Sequence, residues 1–164
     1  MRAPEYTQIN PKGRVPTVVG GDTTISESTA IARYLGAKYA PHLTPGPDAP
    51  NIAMYLQWLY YSESVIMPLM DNYVVETILL SPDRRNREMA ARGLKLLNSV
   101  LGAAEAHMED REFISGDFTV ADTITGHAVI MSHRLGADFG KCLNLSAYAD
   151  RLEARPPFIA AEAA

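Results

Sequence analysis

Asn10-Pro11-Lys12-Gly13-Arg14-Val15-Pro16-Thr17-Val18-Val19-Gly20-Gly21-Asp22-Thr23-Thr24-Ile25-Ser26-Glu27-Ser28-Thr29-Ala30-Ile31 is the stretch that decides the fold. Val15 to Val19 is a short β-branched run, Thr23-Thr24-Ile25 is a second, and Gly20-Gly21-Asp22 lies between them. Two strand signals around a Gly-rich turn predict a β-hairpin. Ser26-Glu27-Ser28-Thr29 then offers helix caps, and Ala30 to Lys38 is rich in helix formers, with Ile31, Leu35 and Lys38-Tyr39 on one stripe. Ala40-Pro41 ends that helix. A lone hairpin is marginal in water, so a hairpin plus one helix predicts a piece of a larger α/β unit.

Downstream the pattern changes. His42 to Pro50 carries three prolines and a glycine, the composition of a linker. Beyond it the chain reads as helix. Ile52, Tyr55, Leu59, Ser62, Ile66, Leu69 and Tyr73 recur at steps of three and four, and Leu56, Tyr60, Glu63, Met67, Met70 and Val74 repeat on a neighbouring face. A helix apolar on two faces is buried on two sides, one of them a possible subunit interface. Pro68 should kink it. Ser81-Pro82-Asp83 predicts the next helix start, followed by the stripe Ala90, Leu94, Leu97, Leu101, Ala104 and Met108. Thr119-Val120-Ala121-Asp122 is a capping box with Asp at its third helical position, leading into Val120, Ile124, Ala128, Met131 and Leu135. Leu145 to Ala154 is a further short helix, and Phe158 to Ala164 a last turn. The expected architecture is mainly α: residues 1–39 a hairpin plus helix, 40–50 a linker, and 51–164 a helical bundle.

Composition narrows the function. The 164 residues suit about one domain, long enough to fold without a disulfide or metal. Fifteen Lys and Arg against 19 Asp and Glu give a net charge of −4, which removes the basic footprint of a nucleic-acid binder. The single cysteine, Cys142, excludes an intramolecular disulfide and a Cys-rich zinc site, and makes the cytosol the default compartment. Apolar runs fall far short of the roughly 18 residues that span a membrane, and the first residues carry no apolar signal core. His127 and His133 stand six apart, on different faces of a helix, so no metal site is expected there.

Four segments together carry a resemblance. Asn10 to Val19 resembles the NPxGxVPxL segment of the cytosolic glutathione transferases, and Ile25-Ser26-Glu27-Ser28-Thr29-Ala30-Ile31 their LxESxAI segment. Gly116-Asp117-Phe118-Thr119-Val120-Ala121-Asp122 is similar to their Gly-x-x-x-Ser/Thr-x-Ala-Asp box, and Ala147 to Pro156 to their closing helix. Tyr55-Leu56-Gln57-Trp58-Leu59 resembles the first long helix of bacterial members. The resemblance implies an all-helical C-terminal domain preceded by part of a thioredoxin-like domain. It implies conjugation of glutathione, as substrate, to small electrophiles, with homodimers and without metal, nucleic acid or membrane. Helical domains of this family also serve as non-catalytic assembly modules, and isomerase or dehalogenase chemistry with glutathione is a further alternative.

The resemblance also assigns residues. The Val15–Pro16 peptide would be cis, turning the Val15 backbone outward to pair with the cysteinyl backbone of glutathione. The helix N-terminus at Glu27 and Ser28 offers free N–H groups to the γ-glutamyl carboxylate, Ser28 adds a hydroxyl or acts as a plain N-cap, and Glu27 would take the ammonium. Lys12 or Arg14 would reach the glycyl carboxylate, or remain solvated. Glu63 interrupts an apolar stripe and is expected to be buried, in an internal ion pair or directed across a dimer towards the glutathione amine. Tyr61 and Ser64 line an electrophile pocket or serve the core. Thr119 and Asp122 form a structural cap.

The thioredoxin-like domain of this family begins with a βαβ unit whose first helix carries the Ser, Tyr or Cys that holds the glutathione thiolate, lowering a thiol pKa from about 8.5. No residue here corresponds to it, so no catalytic residue is assigned. Met1-Arg2-Ala3-Pro4-Glu5-Tyr6 resembles family sequence that precedes the NPxG segment, and Met1 is expected to be an internal methionine. On this expectation the 164 residues alone bind glutathione weakly and do not conjugate it.

Overall fold

The computed structural model describes residues 3–164, so the reading of Met1 and Arg2 lies outside the described residues. A short helix opens it, α1 (Pro4–Ile9), with a proline in its first turn. Polar, turn-rich sequence gave no periodic signal for so brief an element. Strands β1 (Thr17–Gly20) and β2 (Thr23–Ser26) pair antiparallel with Gly20 opposite Thr23. The two-residue turn is Gly21-Asp22, and Gly21 sits at φ 56°, a left-handed value that suits a residue without Cβ. Helix α2 (Ser28–Tyr39) follows and packs on both strands.

A single 3-10 turn at Pro41–Leu43 leads towards the helical part. The first long helix runs as α3 (Ile52–Tyr61), a π-helical stretch Ser62–Ile66, α4 (Met67–Val74) and a second π-helical stretch Val75–Leu79. Pro68 has no N–H for the carbonyl four residues back, and the helix widens just before it instead of breaking. Helix α5 (Arg87–His107) starts later than Ser81-Pro82-Asp83 predicts. Those residues make a 3-10 turn, and the cap is Asn86, whose Oδ1 accepts from the N–H groups of Glu88 and Met89 at 3.0 and 3.1 Å. Helices α6 (Val120–Arg134), α7 (Leu143–Glu153) and α8 (Pro156–Glu162) complete the chain, the last a full short helix rather than a turn.

The mainly α fold with a two-stranded hairpin matches the sequence expectation. Tyr55, Leu59, Ile66, Leu97, Leu101, Val129, Leu145 and Tyr148 form the middle of the core. Helix α6 runs through it, against α2, α3 and α7. Of the predicted stripe Val120 and Ala128 are buried and Ile124, Met131 and Leu135 half-buried, while the buried surface also takes in Ala121, Thr125, Gly126, Val129, Ile130 and Ser132, several of them small or polar. Small residues let neighbours approach closely. A Cβ on Gly126 would lie 2.1 Å from Leu152 Cδ1. Thr125 Oγ1 donates to the Trp58 carbonyl and Ser132 Oγ to the Ala128 carbonyl, so the hydroxyls cost little to bury. The hairpin unit docks through α2, where a Cβ on Gly36 would meet Val120 and Thr44 at 2.6 Å.

Candidate functional site

Asn10, only 5% exposed, organises the loop that leads into β1. Its Nδ2 donates to the Arg14 carbonyl at 2.7 Å and to Thr17 Oγ1 at 3.0 Å, and its Oδ1 accepts the Lys12 N–H at 3.1 Å. Tyr6 of α1 adds its hydroxyl to the same Arg14 carbonyl and lies 3.0 Å from Thr17 Oγ1. These bonds satisfy the polar groups of a loop with no regular structure, and hold Lys12, Arg14 and Val15 at the surface beside the hairpin. The Val15–Pro16 peptide is cis and Val15 is exposed.

At the other end of the hairpin, Glu27 joins β2 to α2 at φ 75° and ψ 117°. For a residue with a side chain this left-handed value is strained, and such backbone clusters at functional sites. Glu27 and Ser28 are thereby placed on the first turn of a twelve-residue helix whose leading N–H groups have no partner within the helix. Ser28 is half-buried and Glu27 exposed. Lys12 Nζ stands 2.8 Å from Glu27 Oε1, and its hydrogen bond, with its charge, lowers the Glu27 carboxyl from its ordinary value. Both side chains remain about two-thirds exposed, so water screens the pair.

The helical part closes the site from the opposite side. Ser28 Oγ donates to Glu63 Oε1 at 3.0 Å. Glu63 is exposed, not buried as its place in an apolar stripe predicts, because that face of the helix looks across a cleft at α2 instead of into the core. The cleft, about 260 Å³, is lined by Glu27, Ser28, Thr29, Arg33, Tyr60 and Glu63. Arg33 Nη1 approaches the Tyr60 hydroxyl at 3.4 Å across it. Thr29 is 8% exposed and its hydroxyl has no hydrogen-bond partner among the described residues. Two carboxylates and one guanidinium in a cleft at a helix N-terminus suit a ligand end that carries both a carboxylate and an ammonium group.

The other predicted residues sit elsewhere. Tyr61 points away from the cleft: its hydroxyl donates to the Val100 carbonyl at 3.0 Å and its ring lies 4.7 Å from that of Trp58. Ser64 is exposed and bonds back to the Tyr60 carbonyl at 2.9 Å. Asp122 is wholly buried and bonded back to the Thr119 N–H at 2.8 Å. Cys142 is buried at the start of α7, and burial pushes its thiol above the ordinary value. A larger and more apolar cleft, about 550 Å³, opens between α6 and α8 beside Phe118, Thr123, His127 and Phe158. Asp122 alone of the predicted residues reaches it. No described helix is long and apolar enough to cross a membrane.

The sequence assigns no site role to Thr29, a cap candidate, to Tyr60, a stripe residue, or to Arg33. Arg33 follows Thr29 by four and Tyr60 precedes Glu63 by three, so helical spacing puts each pair on one face. That the two faces oppose one another is a tertiary fact.

Known proteins resemble this chain in sequence and in fold. The family of the glutathione S-transferase N-terminal domain matches residues 1–37. Glutathione S-transferase 4 of Zea mays is 29% identical over 160 residues, covering 94% of this chain and 72% of its own length. Elongation factor 1-gamma-A of Xenopus laevis is 32% identical over 128 residues, covering 76% of this chain, which spans only 28% of that protein. The structure of the theta class glutathione S-transferase from Xanthomonas axonopodis pv. citri, with glutathione bound, superposes with a TM-score of 0.86 at 27% identity, covering 96% of this chain and 76% of that one. The hairpin segment and the Glu27–Ser28 helix start thus lie in a stretch that matches the glutathione S-transferase N-terminal domain, and the chain as a whole is similar in sequence and fold to glutathione S-transferases.

Proposed function

We propose that this chain carries the glutathione-binding half of a glutathione transferase. The γ-glutamyl carboxylate takes the first N–H groups of α2 and the Ser28 hydroxyl, with Glu27 accepting the ammonium. The Val15 backbone pairs with the cysteinyl unit, and Lys12 or Arg14 meets the glycyl carboxylate. The observation that carries this reading is the placement of Glu27 and Ser28 at a helix start beside the Asn10–Pro16 loop. The whole protein conjugates glutathione to small electrophiles, as a cytosolic homodimer. The 164 residues alone bind glutathione weakly, at millimolar level, and accelerate no conjugation, because none of them matches the thiolate-holding Ser, Tyr or Cys of the family. A thiol with pKa near 8.5 is only a few per cent ionised at neutral pH. Calorimetric titration of the chain and of S28A with glutathione tests the binding, and conjugation of chlorodinitrobenzene tests the chemistry. Equal affinity of both proteins refutes the site, and turnover above the solution rate refutes the inactivity.

A second reading is favoured by the similarity to elongation factor 1-gamma-A of Xenopus laevis. Here the same fold is a non-catalytic interaction module. Absence of glutathione binding together with a stable complex recovered from the source cell selects this reading.

A further inference from the structure

His107, the last residue of α5, has its ring between Trp58 and the loop that leads to α6. The two rings lie 4.3 Å apart, and Nε2 stands 2.8 Å from the Ile114 carbonyl. A carbonyl only accepts, so Nε2 carries a proton and the neutral ring already makes this bond. Ile114 is wholly buried, and its N–H goes to Asp122 Oδ1 at 2.9 Å. One residue is thus held at its carbonyl by His107 and at its N–H by the carboxylate that caps α6. The first residue of α6, Val120, is the seat of α2 at Gly36. The imidazole therefore stands at one end of a series of contacts that runs from α5, through the loop, to the docking of the hairpin unit.

We infer that His107 is a pH-sensitive latch, which fastens the α5–α6 connection while its ring is neutral and releases it in acid. A second proton must go to Nδ1, on a half-buried ring whose one hydrogen bond among the described residues is the bond to Ile114. The charges around the ring do not welcome it. Arg111, on the turn after α5, donates to the His107 carbonyl and brings a fixed cation close. Glu105 of α5 is turned to α7, where it accepts the N–H groups of Asn144 and Leu145. Asp110 and Glu112 line an outer groove with Arg111 and Arg151. Tyr61 of α3, on the other side of Trp58, is bonded to the Val100 carbonyl, and burial raises its phenol. Asp122 of α6 and Tyr148 of α7 lie beyond Ile114 and are bonded to one another. Burial lowers the imidazole most, the Ile114 bond opposes it, and Arg111 adds to the lowering, which leaves the ring below its ordinary value of 6.5. The folded chain then holds this proton less tightly than the unfolded chain, so stability is lost as pH falls from 6.5 towards the folded value.

The test compares the chain with H107Q, whose amide keeps an N–H for the Ile114 carbonyl and does not titrate. Trp58 is the only tryptophan, so its emission reports a charge arriving on the ring beside it. Emission is followed from about pH 8 to about pH 5, and urea denaturation is run at both ends. The expected result is an emission step with its midpoint below 6.5, missing in H107Q, and a loss of wild-type stability relative to H107Q over the same interval. Asp122 is common to both proteins and cancels. A midpoint above 6.5 would mean that attraction of the cation to the indole face outweighs burial, and overturns the latch. No step in the wild type, or the same step in H107Q, overturns it too. Should H107Q fail to fold, the wild-type midpoint decides.

Discussion

Tyr148 Oη donates to Asp122 Oδ1 at 2.9 Å, deep between α6 and α7. The Ile114 N–H reaches the same oxygen at 2.9 Å, and the Thr119 N–H and hydroxyl reach Oδ2 at 2.8 and 3.1 Å. One wholly buried carboxylate thus ties the loop before α6, the first turn of α6 and the middle of α7 together. Asp122→Ala leaves four donors without an acceptor and should cost at least about 3 kcal/mol, whereas Tyr148→Phe removes one donor and should cost roughly 1–2 kcal/mol. Urea denaturation of both variants reads the difference, and equal losses would contradict it.

Burial pushes the Asp122 carboxyl above its ordinary pKa of 3.8, more than its hydrogen bonds pull it down. The folded chain therefore holds this proton more tightly than the unfolded chain. The contribution of this group is present below pH 3.8 and is lost as pH rises through the folded value. Asn at this position does not titrate. The stability of the wild type relative to D122N should fall as pH rises from about 4 and then level off, and a difference that grows with pH would contradict the sign.

Gly126 gives α6 its closest approach to α7. An added Cβ would meet Leu152 Cδ1 at 2.1 Å and the Tyr148 hydroxyl at 3.2 Å. Gly126→Ala gains helix propensity but forces Leu152 aside in a packed core, for a net loss of roughly 1–3 kcal/mol. A melting temperature at or above that of the wild type would refute it.

Asn86 is the cap that holds the start of α5. Asn86→Ala removes an acceptor from two backbone N–H groups and should cost about 1 kcal/mol, while Ser81→Ala, whose side chain caps nothing, should leave stability unchanged. Chemical denaturation separates the two.

The last turn of the helix from Ile52 to Leu79 presents Val75, Ile78 and Leu79 to solvent. Exposed apolar residues grouped within one turn suit an interaction face. Light scattering at micromolar concentration should give twice 17.9 kDa, and a value near 17.9 kDa would show that these residues do not pair the chain.

Local chemistry determined much of this protein from sequence alone. The Gly21-Asp22 turn between β-branched runs makes the hairpin, the Thr119–Asp122 spacing makes the α6 cap, and the apolar repeat of Leu97, Leu101 and Ala104 puts α5 in the core. Each rests on residues within a few positions of one another, where backbone geometry alone sets the outcome. The start of α5 at Asn86 was missed because several turn-forming residues compete between Ser81 and Asn86, and tertiary contacts choose among them. Only the tertiary structure decided the rest. Asp122 gains the Tyr148 hydroxyl from 26 residues away. The face of α6 that is buried carries glycine, threonine and serine, because three neighbouring helices crowd it and hydropathy alone cannot register that crowding. Glu63 lies on an apolar stripe yet faces a cleft, since the docking of α2 at Gly36 places Ser28 opposite it, 35 positions away in the chain. Periodicity says which residues share a face; what that face meets is set by how the helices pack.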